Sequence, residues 1–132
     1  MSAYLGKWQL LAELSHYDQG EPPESGTYLI EEKGGEIHFD IHWTAKGQDM
    51  NVSFSAPPDG RQVPSDFPGV DSFSVLHEDD HTLSGDALAG GRQISIAIRR
   101  VSNDGQLMSV LQDNPDPAMG RIRTYQVYNR IA

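Results

Sequence analysis

The chain has 132 residues, of which 37% are hydrophobic and 22% are charged, a composition typical of one soluble globular domain spanning residues 1–132. Nineteen acidic residues against ten basic ones give a net charge of −9, which argues against binding to nucleic acid or to an anionic membrane surface. Every apolar run is far shorter than the ~18 residues of a membrane helix.

The first half of the chain alternates apolar and polar residues with the period of two that is typical of strands. Strands are predicted at 7–15, 26–32, 36–44 and 49–55. The third has the clearest alternation, because successive side chains of a strand point to opposite faces. One of its faces carries four apolar residues, Ile37, Phe39, Ile41 and Trp43. Its other face carries three polar residues, His38, Asp40 and His42.

The second half continues the strand pattern after a segment, 61–70, that contains two prolines and is expected to be irregular. Further strands are predicted at 72–77, 82–87, 92–101, 106–112 and 121–131. No window has the periodicity of an amphipathic helix. Short turns between strands favour a meander, and closing it would remove exposed edges. The sequence therefore predicts an all-β fold, an up-and-down antiparallel barrel of about 8–10 strands with little or no helix.

The opening Gly6-Lys7-Trp8 resembles the Gly-x-Trp signature of the first strand in lipocalins and related calycin barrels. The whole chain is similar to a group of small bacterial lipocalin-like proteins of largely undescribed function. The matching stretches are 6–14, 22–31, 58–61, 100–105 and 126–128. The resemblance implies a calycin-type barrel with an internal apolar cavity for a small molecule. It also implies an arginine of the last strand region stacked over Trp8, with Arg121, Arg123 and Arg130 as the candidates.

Fatty-acid-binding proteins of similar length hold the ligand carboxylate with an Arg-x-Tyr pair on the last strand and carry two helices after the first strand. Here the connection at 17–25 is too short and too rich in proline and glycine for a helical lid. Arg123-Thr124-Tyr125 has the Arg-x-Tyr spacing. Aligning the chain ends instead puts Gln126-Val127-Tyr128 at that place and removes the cation. Both registers remain open at this point.

The leading interpretation is a lipocalin-like barrel that binds a small hydrophobic molecule in its interior. The predicted cavity wall consists of Phe39, Ile41, Trp43, Met50 and Phe54, and other candidate inward residues are Val52, Phe73, Ile96 and Ile98. Arg123 and Tyr125 share a face and are predicted to hold the polar part of the ligand. Burial of apolar surface would drive binding.

A second interpretation is a metal-dependent protein that uses His38, Asp40 and His42. Two imidazoles and a carboxylate are ligand types that suit zinc or non-haem iron. The three side chains form a row with about 6.5–7 Å between successive members. The plainer interpretation of the same row is the solvated outer face of a strand.

A third interpretation is a barrel filled by its own side chains, acting as an interaction module without ligand, for example as a homodimer. The sequence contains no nucleophile elbow, phosphate-binding loop or His-Glu-x-x-His helix, so it does not indicate an enzyme, and we expect no cofactor. It also contains no cysteine and no signal peptide pattern, and we therefore expect a cytoplasmic location.

Overall fold

The computed structural model describes residues 2–17, 23–114 and 122–132. These residues form one antiparallel sheet of eleven strands, which curls into a nearly closed barrel. The strands are β1 (Gly6–Leu10), β2 (His16–Tyr17), β3 (Ser25–Lys33), β4 (Glu36–Ala45), β5 (Gln48–Ala56), β6 (Val63–Pro64), β7 (Ser72–Asp79), β8 (Thr82–Ala89), β9 (Arg92–Val101), β10 (Leu107–Asn114) and β11 (Ile122–Arg130).

The strands follow one another around the barrel in the order β5-β4-β3-β1-β11-β10-β9-β8-β7-β6. Consecutive strands are neighbours from β3 to β5 and from β6 to β11, and β1 lies between β3 and β11, so the fold is a meander in which the two chain ends pair. This architecture confirms the predicted all-β, up-and-down antiparallel barrel. In the described part of the chain, no helix is long and apolar enough to cross a membrane.

The first predicted strand differs most from the structure, because it is interrupted. A single 3₁₀ turn at Ala12–Leu14 separates β1 from β2, and β2 then pairs with β11 again. The turn ends the alternation that the sequence shows, and Leu14 is 55% exposed. The 61–70 segment is irregular, as predicted, apart from the two residues of β6.

One end of the barrel is closed by a stacked arginine. Trp8 is fully buried, and the Cζ atom of Arg130 lies 4.2 Å from the centre of its ring. Arg130 also donates hydrogen bonds to the carbonyl oxygens of Gly105 at 2.7 Å and Leu5 at 2.9 Å. The expectation that an arginine stacks over Trp8 is thereby confirmed, and Arg130 is that residue. Arg121 lies outside the described residues.

The barrel is not closed by hydrogen bonds all the way round. Among the described strands, β5 and β6 are the two ends of the hydrogen-bonded order. Inside the barrel the gap is bridged by the rings of Phe54 on β5 and Phe73 on β7, whose centres are 5.5 Å apart in an edge-to-face arrangement. The chain after β5 returns along β7, where Gly60 N donates to Val75 O at 2.9 Å.

The face of β9 that points inward is the opposite of the predicted one. Ala97 and Arg99 are buried at 9% and 5% exposure and line the interior. Ile96 and Ile98 lie on the outer face, where they border a shallow surface depression with Leu76. The prediction that both isoleucines face inward is therefore wrong, because the pairing register with β8 puts Arg99 opposite the fully buried Leu83.

Candidate functional site

A cavity of about 780 Å³ lies in the barrel and opens to the solvent. This volume lies within the range of small-molecule sites, which is about 300–1,000 Å³. Its lining combines residues of β3, β4, β5 and β7 to β10 with Pro64 at the end of β6 and with residues 65–68 and 70 of the loop that follows it. The described side chains thus leave space in the barrel that a small molecule could occupy.

One wall of the cavity is aromatic. The rings of Phe39 and Phe54 stack with centres 4.6 Å apart, because the two residues are opposite each other on β4 and β5. Phe73 meets Phe54 edge-on, and Tyr28 meets Phe39 edge-on at 6.2 Å. Ile41 and Trp43, the next residues on the same face of β4, extend this wall towards the β4–β5 hairpin.

The structure places four of the five apolar residues predicted for the wall, Phe39, Ile41, Trp43 and Phe54, at the cavity surface. The fifth, Met50, is opposite Trp43 and shares its face, but it is 44% exposed and lies outside the cavity lining. Met50 belongs to the end of the β4–β5 hairpin, where the strands run past the enclosed part of the barrel.

The cavity contains a buried cation that the sequence did not reveal. Arg99 is 5% exposed, and its Nε donates to the hydroxyl oxygen of Tyr28 at 2.5 Å. Its Cζ lies 4.5 Å from the ring centre of Phe39 and 5.8 Å from that of Tyr28. Among the described atoms, its Nη1 is buried and has no hydrogen-bond partner. Because unpaired buried charge is costly, this guanidinium is the most distinctive chemical feature of the cavity.

A second buried hydroxyl lies close to this cation. Tyr128 is 3% exposed and meets Tyr28 edge-on, with ring centres 5.4 Å apart. Its hydroxyl donates to Gln126 Oε1 at 3.3 Å, and Gln126 Nε2 in turn donates to the hydroxyl of Tyr17. Burial raises the pKa of the Tyr128 phenol well above its ordinary value, and Tyr28 and Tyr17 add to that effect. The phenol is therefore a neutral hydrogen-bonding group near Arg99.

The register of β11 settles which of the two Arg-x-Tyr alignments faces the interior. Gln126 and Tyr128 pair with the buried residues Val110 and Met108 and have inward positions. Arg123 and Tyr125 have the opposite parity: Arg123 is exposed with its Nε 3.8 Å from Asp113 Oδ2, and Tyr125 is 44% exposed.

The structure therefore places Arg123 and Tyr125 on the outer face, away from the interior in which they were predicted to hold the polar part of a ligand. Neither residue is part of the cavity lining. The cation that the cavity does contain, Arg99, comes from β9 instead of the last strand. The sequence did contain an indication of this position, because Arg99 falls on the same face of β9 as Ala97 and Val101. The two isoleucines of the opposite face favoured the other orientation of the strand.

The row His38, Asp40 and His42 does not form the predicted metal site. Asp40 Oδ1 accepts hydrogen bonds from Asn51 at 2.9 Å and Ser53 at 3.1 Å, and it lies 3.1 Å from His42 Nε2. Partial burial raises the pKa of Asp40, but these hydrogen bonds outweigh it and lower the pKa overall. Within the described residues no three His, Asp or Glu side chains are placed to hold a metal ion. Asp40 and His42 do meet, but neighbouring polar groups already occupy the carboxylate.

Comparison with known proteins gives no match to any family model. No curated protein matches the sequence either. Solved structures do match the whole fold. A fatty acid binding protein of Schistosoma mansoni in complex with arachidonic acid has a TM-score of 0.70 at 17% identity, covering 100% of this chain and 98% of that one.

Two further structures have the same architecture. A protein described as REP1-NXSQ fatty acid transporter has a TM-score of 0.63 at 17% identity, covering 97% of this chain and 96% of that one. A secretory abundant heat soluble protein of Ramazzottius varieornatus has a TM-score of 0.70 at 11% identity, covering 99% of this chain and 97% of that one. At these identities the likeness concerns the fold, a nearly closed antiparallel β-barrel that this chain shares with these structures.

Proposed function

We propose that this chain binds a small, largely apolar molecule with an anionic group inside the barrel. The observation that carries the proposal is Arg99, a buried cation at the cavity wall whose Nη1 has no partner among the described atoms. A guanidinium keeps its charge in proteins, so the cavity holds a positive charge in a low-dielectric place. An anion bound there would neutralise it.

A carboxylate matches the chemistry of this position. Arginine presents its N–H groups in a planar fork that pairs with two carboxylate oxygens. Hydrogen bonds to charged groups contribute about 1.5–3 kcal/mol each, more than those between neutral groups. The Tyr28 hydroxyl accepts from Arg99 Nε, and its own hydrogen can be donated to the same ligand group.

The aromatic wall suits the apolar part of the ligand. Phe39, Phe54 and Phe73 form a continuous ring cluster next to the guanidinium. Burying apolar surface against such a wall contributes about 25 cal/mol per Å² before the cost of association. Two of the matching structures are, by their descriptions, a fatty acid binding protein and a fatty acid transporter, which supports an anionic amphiphile as the ligand class.

The proposal is tested by displacement of a fluorescent fatty acid, cis-parinaric acid, with oleate and with oleyl alcohol. We expect Arg99→Gln to weaken oleate binding by about 10–100-fold, the loss of one charged hydrogen-bonded contact. Binding of the neutral alcohol should change much less, because it has no charge to pair. The matched control is Arg123→Gln on the outer face, which should leave both affinities unchanged.

Two results would overturn the proposal. The first is that cis-parinaric acid does not bind and that neither oleate nor the alcohol shifts the thermal midpoint of the unaltered protein. The second is that Arg99→Gln weakens oleate and oleyl alcohol equally. In that case the loss would come from altered packing of the wall instead of a lost ion pair.

We also propose that the chain works as one domain in the cytoplasm, without a cofactor. The single sheet formed by the described residues supports one domain. The absence of cysteine is consistent with a reducing compartment. Analytical ultracentrifugation with and without oleate tests the homodimer alternative, and a stable dimer would add a second role to ligand binding.

A further inference from the structure

The cavity reaches the side of the barrel. Its lining includes Phe54, which points inward from β5, but also Ser53 and Ser55, which have the outward parity on the same strand. A cavity can touch both faces of one strand only if it passes around that strand's edge. The edge of β5 is one of the two ends of the hydrogen-bonded order in the described sheet.

The opposite side of this opening is formed by residues 64–70, here called the gate loop. Six of its seven residues line the cavity, namely Pro64, Ser65, Asp66, Phe67, Pro68 and Val70. The gate loop thus lies across the lateral opening between β5 and β7. It lies at the gap in the barrel wall where, among the described strands, no hydrogen-bonded ladder joins one strand to the next.

The gate loop is anchored on the β7 side. Pro64 pairs with Ser72, and Ser65 N donates to Asp71 O at 3.1 Å. Asp71 N donates to Leu88 O of β8 at 2.8 Å. The middle of the loop is held by local bonds, from Val70 N to Phe67 O at 3.1 Å and from Phe67 N to Ser65 Oγ at 2.9 Å. None of these bonds joins the loop to β5.

Phe67 is the residue that would control passage. Its ring lines the cavity and is nevertheless 58% exposed, so it stands at the boundary between the interior and the solvent. A large apolar side chain in that position gains free energy when it covers the apolar wall or a bound apolar molecule. The flanking Pro68 restricts the backbone next to it.

We propose that the ligand enters and leaves sideways, between β5 and the gate loop, with Phe67 as the side chain that closes the passage. This inference rests on the proposed binding function. Moving a short loop breaks few contacts, whereas opening a ladder or the Trp8–Arg130 closure would break many. Loop motions of this kind commonly occur in microseconds to milliseconds and set the rates of ligand exchange.

The absence of cysteine from the chain makes a clean experiment feasible. Phe67→Cys introduces a single thiol at the passage, and Tyr125→Cys introduces one at an aromatic position on the outer face that is similarly exposed, at 44%. Each variant is studied before and after modification with a bulky polyethylene glycol maleimide. Stopped-flow fluorescence with cis-parinaric acid gives the association and dissociation rates, and equilibrium titration gives the affinity.

We expect unmodified Phe67→Cys to bind and release the probe about tenfold faster, with a smaller change in affinity because both rates rise together. The bulky adduct at position 67 should slow both rates below those of the unaltered protein. Tyr125→Cys should behave as the unaltered protein in both forms. If the protein binds the probe but the Phe67→Cys variants have the same association and dissociation rates as the Tyr125→Cys variants, the lateral passage is rejected and the binding function stands. Failure of the unaltered protein to bind would overturn the proposed function as well.

Discussion

Arg99 lies over the ring of Phe39, with its Cζ atom 4.5 Å from the ring centre. The same ring stacks against Phe54. One side chain thus joins the charged part of the cavity to its apolar wall. A ligand that contacts both the guanidinium and the aromatic wall would need an anionic group attached directly to an apolar body, as in an amphiphile.

Arg99→Met should make the ligand-free protein more stable, because a buried charge without a full set of partners is replaced by an apolar chain of similar length. Such replacements are neutral or stabilising by about 1–4 kcal/mol in other proteins. Urea unfolding without ligand measures the change, with Arg100→Met on the outer face as the control. A loss of stability would mean that Tyr28 and the ring faces already compensate the cation.

Trp43 should report ligand binding and Trp8 should not. The chain has two tryptophans, of which Trp43 lines the cavity and Trp8 is fully buried under Arg130 at the closed end. We expect oleate to change the fluorescence of Trp8→Phe as it changes that of the unaltered protein. In Trp43→Phe the change should disappear while affinity measured by probe displacement persists. A full response in Trp43→Phe would place the ligand near the closed end instead.

Arg130→Ala should destabilise the protein by about 2–4 kcal/mol. The substitution removes the stacking on Trp8 and the charge-assisted bonds to the carbonyls of Gly105 and Leu5, which are then left without their donor. Arg130→Lys should recover only part of this, because an ammonium lacks the planar fork. Thermal unfolding measures both variants. Equal stability of Arg130→Ala and Arg123→Ala would contradict the closing role.

Asp86 should contribute a stability that is lost in acid. Burial raises the pKa of this carboxyl, but hydrogen bonds from Ser74, Gln93 and Gln62 outweigh it and lower the pKa below its ordinary 3.8. Because the folded state holds the proton more weakly than the unfolded state, the contribution is present above pH 3.8 and disappears as the pH falls through the lowered pKa.

The experiment is urea unfolding of the unaltered protein and of Asp86→Asn at a series of pH values. The difference in unfolding free energy between them should be constant near neutral pH and shrink in the acidic range below pH 3.8. Asp104→Asn, in an exposed turn, provides a comparison with a carboxyl whose pKa is lowered by a Ser102 hydrogen bond. If the difference in unfolding free energy grows as the pH falls, the pKa of Asp86 is raised in the folded protein and the prediction is wrong.

The sequence predicted the parts of the fold in which alternation is unambiguous. Along β4, every second residue is large and apolar and the others are polar, so Phe39, Ile41 and Trp43 could be placed on the cavity side. Turn residues marked most strand ends, since glycine pairs such as Gly34–Gly35 have positive φ angles that favour hairpins.

The same reasoning failed where both faces of a strand carry apolar residues. On β9, Ile96 and Ile98 alternate with Ala97 and Arg99, and only the register with β8 and β10 decides which row is inside. Arg99 is opposite Leu83 and Val110, both buried, and so the charged row is the internal one. Pairing between strands is a property of the assembled sheet, and one strand's own sequence does not contain it.

The ladder between β1 and β11 has a consequence for how the chain folds. It joins the two ends of the sequence, with Trp8 opposite Arg130 and Ile131 N donating to Lys7 O at 2.9 Å. The hairpins among β3 to β5 and β7 to β11 bring together residues that are near in sequence, whereas this seam requires nearly the whole polypeptide to be ordered first. Contacts of such high sequence separation slow folding, and we expect the N-terminal strand to dock last.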